Sequence, residues 1–207
     1  MTANAPEVVL ASASPRRKAL MAKLFRDFRV VVPEVDERIS RGVAPALVAE
    51  ELARRKASTV SPDAPEALVI GADTITVLGD EIIGKPSSPS HAREILQRLS
   101  GTEHSVITGV SLIYAGHGLE KAGHEETVIT MRELTGAEID EYVDSGEAMG
   151  KAGAYAIQEK GDRFVAGYSG SFSNIVGLPL ELVRRLAGEI EEEAGIRLPM
   201  SEAANGG

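Results

Sequence analysis

Three sets of residues in this 207-residue chain have types and spacings that suit chemistry. The first is Leu10-Ala11-Ser12-Ala13-Ser14-Pro15-Arg16-Arg17-Lys18, which follows the apolar run Val8-Val9-Leu10. It reads as a strand, a tight small-residue turn and a helix start, with Ser14 as N-cap and Pro15 in the first helical position. A helix start presents unpaired N–H groups, and two hydroxyls and three cations within seven residues add what a phosphate group needs. Cations lie at the unfavourable end of the helix dipole unless an anion arrives, which weakens the alternative of a merely solvated basic turn. The second set is acidic: the loop Glu34-Val35-Asp36-Glu37, and Asp73, which interrupts a strand-like run from Ala67 to Leu78. A carboxylate between two buried stretches of strand is costly unless it binds a cation or handles a proton, although an Asp can also end a strand or cap a turn there. The third set is Lys56 and Lys85. Hydroxyls, guanidinium groups, lysines and strand-adjacent carboxylates describe metal-assisted phosphate chemistry without a covalent nucleophile.

Composition narrows the field. A net charge of −9 argues against non-specific nucleic-acid binding, which depends on neutralising phosphates with Lys and Arg. There is no cysteine, so disulfides, thiolate metal sites and cysteine nucleophiles are excluded. The 43% hydrophobic and 26% charged content is that of a soluble globular protein. No run has the length of a membrane span and residues 1–7 lack a signal-peptide pattern, so a cytoplasmic protein is expected, without membrane or nucleic-acid partners. His91, His104, His117 and His124 lack zinc-ligand spacing, and no G-x-S-x-G elbow occurs. Gly79 to Lys85 matches the start of a nucleotide-loop pattern, but Pro86 stands where Ser or Thr would hold magnesium, and the segment reads as a hairpin. Lys85 remains a cation that this hairpin can aim at phosphate.

The elements that must position these groups alternate in type. Helices are expected over Pro15 to Phe25, Pro45 to Ser58, Ser90 to Leu99, Thr135 to Val143 and Pro179 to Glu191. Val48, Leu52 and Lys56 share one helical face at i, i+4 and i+8, so Lys56 lies in line with the inward residues, either entering a cleft or snorkelling outward. Strands are expected at Val8 to Leu10, Phe28 to Val32, Ala67 to Leu78, Glu81 to Ile83, Ser105 to Tyr114, Leu119 to Met131, Ala154 to Gln158 and Phe164-Val165, with Gly167 to Asn174 as a polar loop. Residues 192–207 are expected to fray. No linker divides the chain. The expected architecture is a single α/β domain over residues 1–207, a mixed twisted sheet with flanking helices.

Six ordered motifs resemble those of the Maf family, nucleoside triphosphate pyrophosphatases first named for septum-formation inhibition. They are the Leu10 to Arg17 stretch, Gly71-Ala72-Asp73-Thr74, Gly84-Lys85-Pro86, Leu99-Ser100-Gly101, Lys151-Ala152-Gly153-Ala154-Tyr155-Ala156-Ile157-Gln158 and Val176-Gly177-Leu178-Pro179. Ala13 and Ala156, where glycine is common, and Met149-Gly150 before Lys151 depart from the pattern. The resemblance implies a fold similar to the inosine triphosphatase group, with two lobes around a deep cleft, and a possible homodimer. It implies hydrolysis of a nucleoside triphosphate to the monophosphate and pyrophosphate with a divalent metal, Mg or Mn. Asp73 then matches the group that activates water; Arg16, Thr74 and Gln158 match specificity positions; Ser12, Arg17, Lys56 and Lys85 match phosphate-side positions; and Glu37 joins Asp73 as a metal ligand.

Thr74 after Asp73, together with Gln158, resembles the branch acting on thymidine and uridine triphosphates (dTTP and UTP). The branch acting on 7-methylguanosine triphosphate usually has Gln where Thr74 stands. A reading of a different class is a nucleotide-sensing regulator of septum formation that acts through a protein partner.

Overall fold

The computed structural model describes residues 5–38, 42–158 and 160–201. Its strands form a seven-stranded mixed sheet in the order β2-β1-β3-β5-β6-β7, with β4 paired to β3. They are β1 (Val8–Ala11), β2 (Arg29–Val31), β3 (Leu68–Leu78), β4 (Glu81–Ile83), β5 (Glu103–Tyr114), β6 (Leu119–Met131) and β7 (Val165–Ser169). β1 runs parallel to both β2 and β3, whereas β4 and β7 lie antiparallel to β3 and β6. Among the described residues, six α-helices accompany the sheet: α1 (Pro15–Leu24), α2 (Pro45–Val60), α3 (Pro89–Leu99), α4 (Gly136–Asp144), α5 (Phe172–Val176) and α6 (Leu180–Ala194). None of the described helices is long and apolar enough to cross a membrane.

The chain divides into two compact units, each discontinuous in sequence. The first comprises the described residues of Met1–Asp73, Thr108–Glu125 and Gly177–Gly207, and the second comprises Thr74–Ile107 and Glu126–Val176. In the first unit every residue of β1 is buried, as a parallel strand covered on both faces requires. Val9, Ala11 and Val69 of the strands share a core with Ala57 and Val60 of α2. The backbone of α2 comes very close to the sheet, because a Cβ on Gly71 would stand 2.3 Å from the Ala53 carbonyl oxygen and one on Gly109 2.2 Å from that of Ala49. Two strand glycines facing a stripe of helix alanines form a seam that no larger side chain fits.

In the second unit, α3 and α4 pack on the sheet through Ile95, Leu96, Leu99, Ile139, Tyr142 and Val143. Both helices start on side-chain caps. Ser88 accepts from the His91 N–H, and Thr135 and Glu138 form a reciprocal capping box.

The sequence reading needs three corrections. Residues 154–158 are not a strand: a 3-10 turn at Ala152–Ala154 leads into a second turn. The strand expected at Phe164-Val165 is β7, reaching Ser169, and the polar segment after it ends in the short helix α5. Residues 192–201 do not fray either. Helix α6 runs to Ala194, Leu198 is buried, and the Ser201 and Arg26 N–H groups donate to the carbonyls of Leu24 and Pro199, tying this segment to the end of α1. Residues 202–207 lie outside the described residues.

Candidate active site

The anion-binding character of the β1–α1 turn arises from how its serines are used. Ser12 ends β1 with its N–H bonded to the carbonyl of Val31, and its buried hydroxyl accepts from the Ser14 N–H at 3.1 Å. Ser14 in turn accepts from the Arg17 N–H at 3.3 Å, and Pro15 occupies the first turn of α1. The expected N-cap is therefore present, and Ser12 braces it. Arg16 and Arg17 project from the first turn, both half-buried. The Arg17 Nε donates to the carbonyl oxygen of Gly177 at 2.7 Å, and Gly177 adopts φ +113, a conformation suited to glycine. Burial lowers the pKa of the Arg17 guanidinium, as does neighbouring Arg16, while the charges of Asp73 and Glu37 oppose that shift. Arg17 thus shares one electrostatic neighbourhood with both acids.

Lys56 settles its alternative in favour of an inward position. Its ammonium donates to Asp73 Oδ1, and its Nζ lies 2.9 Å from Glu37 Oε1. Lys56 and Asp73 are almost fully buried, whereas Glu37 is half-exposed. The glycine–alanine seam explains the reach. Gly71 stands two residues before Asp73 in β3 and lets the α2 backbone approach at Ala53 and Ala57, on either side of Lys56 in the helix.

The acidic loop before α2 is shaped by a residue that sequence reasoning passed over. The Arg55 Nη1 donates to the carbonyls of Asp36 and Arg38 at 3.0 and 2.9 Å, while the Asp36 carboxylate is engaged by Arg38. Of the three loop carboxylates, Glu37 is the one that meets Lys56. Arg55 follows no periodic signal, since its role depends on where the loop returns.

The remaining predicted residues belong to the second unit. Thr74 is half-buried in β3, Lys85 is exposed just after β4, and Gln158 is exposed in a turn. The Gly153 N–H donates to the Gly84 carbonyl at 3.4 Å, bringing the segments of Lys85 and Lys151 together. A Cβ on Gly153 would stand 2.9 Å from Thr76 Oγ1, so the 152–158 segment is packed against the strand that carries Thr74.

Among the described residues, no group of three or more His, Asp or Glu side chains is gathered for a metal. Glu37 and Asp73 nevertheless converge on one cation, the Lys56 ammonium. Such a two-carboxylate set fits Mg²⁺, which commonly takes one or two carboxylates and completes its shell with water and substrate phosphates.

A basic helix start beside a lysine-bridged acid pair in a mixed α/β protein is an arrangement suited to phosphate anions. The sequence pattern of the Maf-like protein family matches residues 7–190, and the chain belongs to that family. The chain is 45% identical over 180 residues to the dTTP/UTP pyrophosphatase of Moorella thermoacetica, covering 87% of this chain and 93% of that protein. It is 46% identical over 205 residues to the dTTP/UTP pyrophosphatase of Myxococcus xanthus, covering 96% and 98%. With that of Symbiobacterium thermophilum the identity is 46% over 174 residues, covering 84% and 89%. Among solved structures, the Staphylococcus aureus Ham1 protein overlaps 60% of this chain and 71% of that chain, at 18% identity and a TM-score of 0.45, a partial likeness only.

Proposed function

We propose that this protein hydrolyses dTTP and UTP between the α and β phosphates, releasing the nucleoside monophosphate and pyrophosphate. The observation that carries the reading is the buried Lys56 ammonium held between Asp73 and Glu37, in the same unit as the α1 N-terminus. The names of the relatives supply the substrates.

In this reading Asp73 holds the attacking water and takes its proton, and Lys56 keeps the carboxylate oriented in the resting protein. Ser12 accepts from the Ser14 N–H and so retains its own proton to donate to a phosphate oxygen. Arg16, Arg17 and Lys85 draw in the triphosphate, whose charge would otherwise repel an acid close to the reacting phosphorus. Glu37 and Asp73 would hold a divalent cation, Mg²⁺ or Mn²⁺, which offsets charge on the phosphate oxygens when bound. Thr74 and Gln158 select the base, since a primary amide offers both a donor and an acceptor to a pyrimidine edge. The reading includes a cytoplasmic location and a homodimer, the latter from the family resemblance alone.

A panel of dTTP, UTP, 7-methyl-GTP, GTP and ATP, assayed for pyrophosphate with Mg²⁺ and again with chelator, tests this. Pyrophosphate release from dTTP and UTP that stops with chelator is expected. Equal turnover of GTP would reject the pyrimidine assignment, and nucleotide binding without turnover would favour a nucleotide-sensing regulator.

A further inference from the structure

The backbone of the 152–158 segment is unusual. Gly153 and Ala154 adopt φ +72 and +60 in succession, and Ala154 is the non-glycine residue with positive φ among the described residues. An alanine in the left-handed region is strained and persists only where its surroundings hold it. The next residue shows what holds it. Tyr155 is buried, its hydroxyl stands 2.7 Å from His104 Nε2, and the two rings meet edge to face at 86°.

His104 is 3% exposed on β5, and its Nδ1 has no hydrogen-bond partner among the described residues. A half-satisfied buried imidazole is a poor choice for packing alone, and its hydrogen bond goes to Tyr155. Burial lowers the His104 pKa to about 4 and raises that of Tyr155, so both groups stay neutral near pH 7 and the bond persists. Beyond Tyr155 the chain is fixed again, because a Cβ on Gly161 would stand 2.6 Å from the Ala156 carbonyl oxygen. Gln158 is exposed between these two fixed points, so its placement follows from the loop's shape.

We propose that His104 is a positioning residue for base selectivity: its hydrogen bond to Tyr155 latches the strained 153–158 loop in the conformation that presents Gln158 to the base. The proposal deepens the pyrimidine reading above and rests on it.

Tyr155→Phe keeps the ring and removes the bond. The ratio of kcat/KM for dTTP over GTP should fall by about tenfold, the loss expected when a polar recognition group is misplaced. Most of it should come from a higher KM for dTTP, with kcat held within about threefold. In the nucleotide-free variant, amides of residues 153–158 should exchange faster while those of α1 and α2 do not change. Wild-type selectivity and exchange in folded Tyr155→Phe would overturn the proposal. Should that variant not fold, His104→Gln, which keeps a hydrogen-bonding group, is expected to stay closer to the wild-type ratio than His104→Leu. Equal ratios in wild type and His104→Leu would overturn the proposal too. A wild-type protein with no preference for dTTP over GTP rejects the pyrimidine reading and the selectivity half of this one, and the exchange measurement then decides the latch.

Discussion

The two compact units hold their candidate site residues in different ways. In the first, Ser12 and Ser14 join a fully buried strand to a capped helix, Lys56 lies within α2, and Asp73 within β3. Each backbone is fixed by ladder or helix hydrogen bonds, and the side chains are locked by partners such as the Gly177 carbonyl on Arg17. In the second, Lys85 and Gln158 are exposed on connecting segments, and the backbone near Gln158 is shaped by close glycine contacts and one buried polar pair. Proton and phosphate chemistry needs groups held to a fraction of an ångström, which regular elements provide. In the proposed site, base discrimination combines Thr74 on β3 with Gln158 on a shaped loop, and the loop can vary without disturbing the core. Substitutions at Asp73, Lys56 and Arg17 in the first unit should therefore lower turnover or triphosphate binding, and those at Thr74 and Gln158 in the second should change preference, with Lys85 the phosphate-side exception in that unit.

The largest effect is expected at Asp73. Asp73→Asn keeps the shape and removes the proposed base, and general-base catalysis is worth about 10²–10⁴-fold, so kcat should fall by that order. Nucleotide affinity should survive, because a negative charge near the triphosphate has been removed. Measuring kcat and Kd on the same variant separates the two effects. Turnover within a few-fold of wild type would move the base elsewhere in the first unit, with Glu37 the next candidate.

A smaller loss is expected from Arg17→Ala. A charge-assisted bond is worth about 1.5–3 kcal/mol, so triphosphate affinity should fall by roughly 10- to 150-fold. The fall should be the same for dTTP and GTP, because Arg17 is assigned to the phosphates, which the two nucleotides share. A change confined to one base would break the division of labour.

How far the sequence could be read follows the same division. Ser14 and Pro15 mark the start of α1, and the Val48-Leu52-Lys56 stripe puts the lysine in line with the inner face, because cap chemistry and helical period are local signals, while its inward turn onto Asp73 and Glu37 is a tertiary contact. Asp73 stood out because burial makes an acid within a strand expensive. Residues 154–158 read as a strand because Ala154-Tyr155-Ala156-Ile157 has the apolar content of one, and left-handed backbone at an alanine has no local signature. The Gly71–Gly109 seam, the Arg55 contacts with the acidic loop and the docking of residues 195–201 pair segments far apart in sequence. Such contacts are invisible to periodicity.

The smallest expected effect is on stability in mild acid, and it sharpens the contrast between the units. Burial lowers the His104 pKa from 6.5 to about 4. Between those values the unfolded chain binds a proton that the folded chain refuses, so this contribution is complete above about pH 6.5 and shrinks as pH falls towards 4. Going from about pH 7.5 to 5.5 should cost about 1.4 kcal/mol, a tenfold change in the unfolding equilibrium. Carboxylates held low act in a different window. Glu138, lowered to about 2 chiefly by its hydrogen bond with Arg132, and Glu81, lowered by Arg98, begin to lose their contribution only below their ordinary value of 4.5. Urea unfolding at the two pH values, on wild type and His104→Asn, isolates the histidine, since the variant should lack the acid-dependent loss. Amide exchange at pH 5.5 should rise first in β5 and residues 153–158. If β1 and α2 opened to the same extent, acid would be acting on the whole fold, and the buried imidazole would not be a weak point particular to the loop-bearing unit.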